Sequence, residues 1–235
     1  MNRIHRKTRR LPGPLEAVRR RRAARRAGIA FSTAVLLLLL VSCAGKIPPT
    51  HYYKLHLPEP VVEPSGEGRD TAVILTFRAS EMLIRDKIVY RPNRQEVGFY
   101  EYHRWAEDPR TTLTHALLGQ MRQRKTFRRV IIFDGRTKSD YVLRGRIERL
   151  EEVDFDNGVS VAVKLSLDLL DAETSEPLWQ GSSASKAEVE VGEVRNVVAK
   201  MSEAARRSID ELASQLDSFV KSAESRQASA SPPPR

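Results

Sequence analysis

The sequence predicts an α+β fold: a two-layer sandwich of a mainly antiparallel sheet with two amphipathic helices on one face. Three observations carry this. Residues 141–191 read as a three-strand meander. In its middle strand Val159, Val161, Val163, Leu165, Leu167 and Leu169 alternate with Ser160, Ala162, Lys164, Ser166 and Asp168, the period of a strand with one apolar face. Residues 193–221 set Val194, Val197, Val198, Met201, Ala205, Ile209, Leu212, Leu216 and Phe219 along one helical stripe,. A further helix is signalled by Asp108 as N-cap and Pro109 at the first helical position,. Two such helices can cover one face of an antiparallel sheet and leave the other largely solvated or used for contacts.

The elements follow in chain order. The 235 residues carry a formal charge of +10. The first 26 hold eleven basic residues and one acid, and the rest of the chain is balanced. The basic excess therefore belongs to the N-terminus, which argues against a nucleic-acid groove in the folded part. The uncharged run 27–42, centred on residues 35–41 (VLLLLLV), follows it. A basic segment before a short apolar one has the layout of a secretory signal. It is short for a membrane span, which needs about 20 residues. It ends Leu40-Val41-Ser42-Cys43 and holds the one cysteine of the chain, which fits a bacterial lipobox. The expectation is a signal peptide over 1–42 and a mature chain beginning at Cys43. That residue would be acylated by diacylglycerol and an N-acyl chain, with no other cofactor. More than one acyl chain gives stable membrane anchoring. Ala44 rather than Asp after the cysteine leans toward the outer membrane, facing the periplasm.

Residues 43–50, with Pro48-Pro49, form a lipidated tether, and 51–221 form the domain. A strand is expected over 51–57, a proline- and glycine-containing loop over 58–70, and strands over 71–77, 87–90 and 96–105. The helix at Pro109 should end near Lys125, before a buried strand at 129–133. The meander begins at residue 140, turns at Asp156-Asn157-Gly158, and returns through a strand from Leu178 to about Val191. Residues 222–235, ending SASPPPR, read as a disordered tail.

Catalytic patterns are missing. There is no Gly-x-Ser-x-Gly elbow, phosphate loop or dinucleotide glycine pattern, and His51, His56, His103 and His115 have no metal-ligand spacing. The acids Glu151, Glu152, Asp154 and Asp156 fall near a hairpin tip, where solvated carboxylates are expected. Five aromatics, Tyr90, Phe99, Tyr100, Tyr102 and Trp105, fall within sixteen residues. Alternation puts Phe99 and Trp105 on one face and Tyr100 and Tyr102 on the other. Both faces are buried in one reading. In the other, Tyr100 and Tyr102 contact a partner or lipid.

Several segments resemble the ABC-type transport auxiliary lipoproteins. Tyr52-Tyr53-Lys54-Leu55 is similar to that family's opening after the lipidated cysteine. Val89-Tyr90-Arg91, then Tyr100-Glu101-Tyr102-His103-Arg104-Trp105-Ala106 and Pro109, resemble its strand-to-helix segment. Phe127 to Val130, Asp140-Tyr141-Val142-Leu143 with Gly145, and Leu178-Trp179 resemble its later strands. The usual glycine before Leu-Trp is replaced by Ser175-Glu176-Pro177. The resemblance spans roughly residues 51–216. It implies a non-catalytic docking component that works with an ABC ATPase, a permease and an Mce-type protein to move lipids or other hydrophobic compounds. Self-association into a homo-oligomer is compatible with that role. The competing readings are a lipoprotein that assists outer-membrane assembly and a lipid-anchored enzyme.

Overall fold

The computed structural model describes residues 48–58, 70–155, 158–190 and 193–230. The signal peptide, Cys43 and most of the tether lie outside the described residues, as do the hairpin residues Asp156 and Asn157 and the last five of the tail. Within the unit Pro49–Arg235 the elements are β1 (His51–Tyr53), β2 (Thr71–Ala79), α1 (Glu81–Ile84), β3 (Lys87–Arg91), β4 (Gly98–Trp105), α2 (Pro109–Arg124), β5 (Arg129–Ile132), β6 (Tyr141–Val153), β7 (Ser160–Asp171), β8 (Pro177–Glu188) and α3 (Val194–Ala230).

The fold is α+β, with eight strands in one open sheet and β6 as its spine. One edge of β6 carries β7, antiparallel from Tyr141↔Asp171 to Val153↔Ser160, and β8 continues beyond it. The other edge is shared. β2 runs parallel to the first half of β6, from Ala72↔Tyr141 to Ala79↔Ile147. β3 takes the far end, with Tyr90↔Glu152 and Arg91↔Val153. The sequence β2–α1–β3 is thus one interrupted strand alongside β6. From there the sheet forks, to β5 beside β2 and to β4 and β1 beyond β3.

The sheet is mixed, with the long antiparallel meander joined by parallel strands that the sequence reading did not expect. Four pairings are parallel (β1·β4, β2·β5, β2·β6, β3·β6) and three are antiparallel (β3·β4, β6·β7, β7·β8). Parallel neighbours need long crossovers, and the segment holding β3, β4 and α2 supplies one between β2 and β5. The apolar run at 71–77 marks a buried strand, but the buried strand expected at 129–133 is corrected: β5 lies at the sheet edge, with Val130 buried and Phe133 54% exposed.

α2 is positioned as its sequence predicts. The Asp108 carboxylate accepts from Arg110 N at 2.9 Å, Pro109 opens the first turn, and Lys125 ends the helix in the left-handed region at φ 53°. The stripe of α3 is buried at Val197, Val198, Met201, Ala205, Ile209, Leu212 and Leu216, in one core with Leu165, Leu167 and Leu169. Each of these side chains except Ala205 contributes about 1.5–3 kcal/mol on burial. α3 packs on β7, β8 and α2. It runs to Ala230, past the expected end at Lys221. No helix breaker precedes Pro232, and Ser225 Oγ donates back to the Lys221 carbonyl at 2.9 Å.

The Asp-Tyr-x-Leu-x-Gly strand has a physical reason at each position. The Asp140 carboxylate accepts from Thr71 N at 2.7 Å, fixing the start of β6 against β2. Tyr141 packs on Phe127, ring centroids 5.6 Å apart, and Leu143 is fully buried. β2 bulges between Leu75 and Arg78. There Thr114 Oγ1 on α2 accepts from Phe77 N at 3.0 Å, and the Phe77 ring lies over Gly145, where a Cβ would come within 2.5 Å of it.

Candidate functional site

The aromatic segment lies on the β1–β4–β3 arm. β4 is antiparallel to β3 at Tyr90↔Gly98 and Val89↔Phe99, but the register shifts before Lys87↔Arg104. Extra residues of β4 are thereby accommodated around 100–103, and simple alternation does not describe the strand. β1 adds in parallel at the outer edge, with His51 beside His103 and Tyr53 beside Trp105. The parallel pairing also lets Ala106 N donate to the Tyr53 carbonyl.

A chain of rings results. His51 stacks on His103 with centroids 5.3 Å apart. The Tyr53 hydroxyl lies 3.0 Å from His103 Nδ1. Tyr100 meets His103 edge-on at 5.4 Å and Tyr90 at 5.0 Å. Gly98 makes room for the Tyr90 ring, since a Cβ there would fall 2.3 Å from Cζ.

The chain ends on a buried acid. The Tyr100 hydroxyl donates to Glu152 Oε2 at 2.8 Å, and Glu152 is 5% exposed. Burial pushes the Glu152 carboxyl above its usual range, with a smaller push from Asp154, against the lowering effect of the Tyr100 hydrogen bond. Burial also raises Tyr100, and the carboxylate it faces adds to the shift. Tyr100 therefore stays a protonated donor. Burial lowers His103, and the neighbouring His51 lowers it further, so the neutral imidazole is favoured.

The adjacent Glu151 points to the other face of β6 by strand alternation. It is fully buried and accepts from Arg91 Nε at 2.9 Å and Arg149 Nε at 2.7 Å. Glu151 and Glu152 are thus not the solvated hairpin acids expected from sequence. The far end of β6 is covered because β3 docks there, bringing Tyr90 and Arg91 with it.

Tyr100 and Tyr102 are placed differently. Both are half-buried. Tyr100 also packs against the core, while Tyr102 makes no side-chain hydrogen bond or ring contact among the described residues. Tyr52 is 65% exposed on edge strand β1, and the sequence reading missed it as a contact residue. Its signal was the Tyr-Tyr pair, of which only the second ring turns inward to His103.

Leu40, Val41, Ser42 and Cys43 lie outside the described residues. Among the described residues no group of three or more His, Cys, Asp or Glu could hold a metal ion. In this group too, no helix is long and apolar enough to cross a membrane. What the arm offers chemically is a preorganised aromatic rim with one proton fixed between Tyr100 and Glu152.

Residues 53–213 match the family of ABC-type transport auxiliary lipoprotein components, and the chain belongs to that family. It is a family of transport auxiliary lipoproteins of the cell envelope, not a known enzyme family. Among solved structures, a protein of Xanthomonas campestris is similar at 14% identity and TM-score 0.61, over 74% of this chain and 99% of that one. An uncharacterized protein is similar at 11% identity and TM-score 0.56, over 72% and 99%. At these identities the likeness is one of fold. A search of curated proteins finds no match.

Proposed function

We propose that this protein is a lipid-anchored docking component of an Mce-associated ABC transport system for lipids or other hydrophobic compounds, with no catalysis of its own. Cys43 carries the acyl chains and holds the domain on a membrane, in our reading the outer one, facing the periplasm. ATP hydrolysis and translocation belong to the ATPase and permease. The observation that supports the docking role is the aromatic arm, which joins the tether through β1. It displays Tyr52 at a strand edge and leaves Tyr102 half-exposed without a side-chain hydrogen bond or ring contact among the described residues, beside rings that are locked to one another. Exposed aromatics on a rigid support are favoured at interfaces, where single anchors contribute about 2 kcal/mol or more.

The test compares two variants in co-purification with the Mce-type partner. Tyr102→Ser and Tyr52→Ser are expected to melt like the wild type and to lose capture, about 30-fold in affinity if each anchor contributes about 2 kcal/mol. Tyr100→Ser is expected to lower the melting temperature, because it removes a packed ring and the donor to Glu152. Undiminished capture by both stable variants would remove this surface as the docking site.

A further inference from the structure

We propose that a basic depression on the sheet face bearing Glu151 binds a phosphate-type anion, either a free phosphate or the phosphate of a lipid headgroup. The depression is about 460 Å³ and is lined by Arg91, Arg94, Arg149, Lys186, Val153, Phe155 and Ala162. It lies apart from the aromatic arm and does not rest on the transport reading. Ala162 pairs with Glu151 on one side and Lys186 on the other, so three adjacent strands present these residues on one face.

Among the described residues four cations line the depression and no carboxylate does. Beneath Arg91 and Arg149 lies the buried Glu151. It engages Arg91 and Arg149 through Nε alone, so the terminal nitrogens of both guanidiniums are not taken up by it. A single buried ion pair would need one arginine. Two arginines around one carboxylate leave excess positive charge, fixed in orientation and half-exposed, with side chains 23% and 44% accessible. Guanidinium groups held in this way suit the planar, multidentate recognition of phosphate oxygens. Lys186 adds a mobile charge from β8, and Val153, Phe155 and Ala162 give an apolar wall for the carbon part of an ester. The volume is that of small-ligand sites, about 300–1,000 Å³.

The experiment uses the full chain in non-ionic detergent, titrated calorimetrically with inorganic phosphate. Micelles doped with phosphatidylglycerol or with uncharged diacylglycerol then compete for the site. Saturable, salt-sensitive phosphate binding is expected. Lys186→Gln should weaken it about tenfold, as loss of a charge-assisted contact does. The triple variant Arg91→Gln, Glu151→Gln, Arg149→Gln should abolish it without leaving a lone buried charge. Displacement by phosphatidylglycerol but not by diacylglycerol identifies a headgroup site. Displacement by neither leaves a site for free phosphate. The proposal is overturned if neither phosphate nor phosphatidylglycerol binds saturably, or if Lys186→Gln binds like the wild type. The lysine variant decides the matter even if the triple variant does not fold.

Discussion

Gly145→Ala adds one methyl group at the most constrained point of the sheet. Its Cβ would stand 2.5 Å from Cε2 and Cζ of Phe77 and 2.6 Å from Cε1. Carbon atoms rest at about 3.5–4.0 Å, so the ring must retreat by about 1 Å. It has nowhere to go. Phe77 is 1% exposed, and its amide is held by Thr114 Oγ1 at 3.0 Å, which pins the bulge from the α2 side. Overpacking of this kind costs about 1–3 kcal/mol, and full expulsion of the ring approaches the roughly 3–5 kcal/mol of losing a buried Phe. We expect a loss of about 2–4 kcal/mol, or roughly 5–15 °C in melting temperature for a domain of this size. Thermal melts of Gly145→Ala, Phe77→Leu and the double variant measure it. The smaller Leu should relieve the clash, so the double variant should lose at least about 1 kcal/mol less than the sum of the singles. A single variant melting within about 2 °C of wild type, or strict additivity, would refute the account of this glycine.

Glu152→Gln keeps an acceptor for Tyr100 and removes the buried charge. Because the folded-state pKa of Glu152 is raised, the folded protein binds more protons than the unfolded chain just above about pH 4.3. Its contribution to stability therefore falls as pH rises from there through the folded value. The Gln variant should gain stability relative to wild type over that interval, and a difference independent of pH would contradict the assignment. Ser175 adopts φ 62°, in the left-handed region that glycine occupies without steric cost. Ser175→Gly should raise stability by about 0.5–1 kcal/mol, and a lower melting temperature would show that the serine is needed. Cys43→Ala should abolish incorporation of labelled fatty acid, and label retained on the variant would sink the lipoprotein anchor.

The elements that were legible in the sequence are those with local signals. Asp108 and Pro109 mark the start of α2 because capping is a matter of two or three adjacent residues. The α3 stripe is legible because its partners are read through its own period. The α3 end was misplaced because its last turns, from Ser222 on, lack apolar periodicity yet contain no residue that stops a helix. Sheet order was not legible. Nothing local in residues 71–79 says that β2 shares an edge of β6 with β3, since that arrangement depends on where α1 breaks the strand. The β4 alternation was misjudged for a related reason. The register shift between β3 and β4 is a property of the pair, and neither strand shows it alone.

The buried acids make the same point more sharply, and they carried a signal that could have been used. Glu151 and Glu152 stand between Leu150 and Val153, opposite Ala162 and Val161, in a strand whose partner alternates cleanly. Adjacent residues of a strand face opposite sides, so two consecutive acids cannot both be solvated unless both faces are open. One face of this sheet had to be covered by helices, so at least one acid had to be buried and would need a donor. The segments rich in donors, Val89-Tyr90-Arg91 and Tyr100 to Trp105, were already part of the family resemblance. The structure joins them: Arg91 meets Glu151 on one face and Tyr100 meets Glu152 on the other. The acid pair thus separates two surfaces back to back across β6. The aromatic rim is braced by the Tyr100 hydroxyl on Glu152, and the basic depression is braced by the buried Glu151 between Arg91 and Arg149. A change at one should leave the other intact, which makes docking and anion binding separable by mutation.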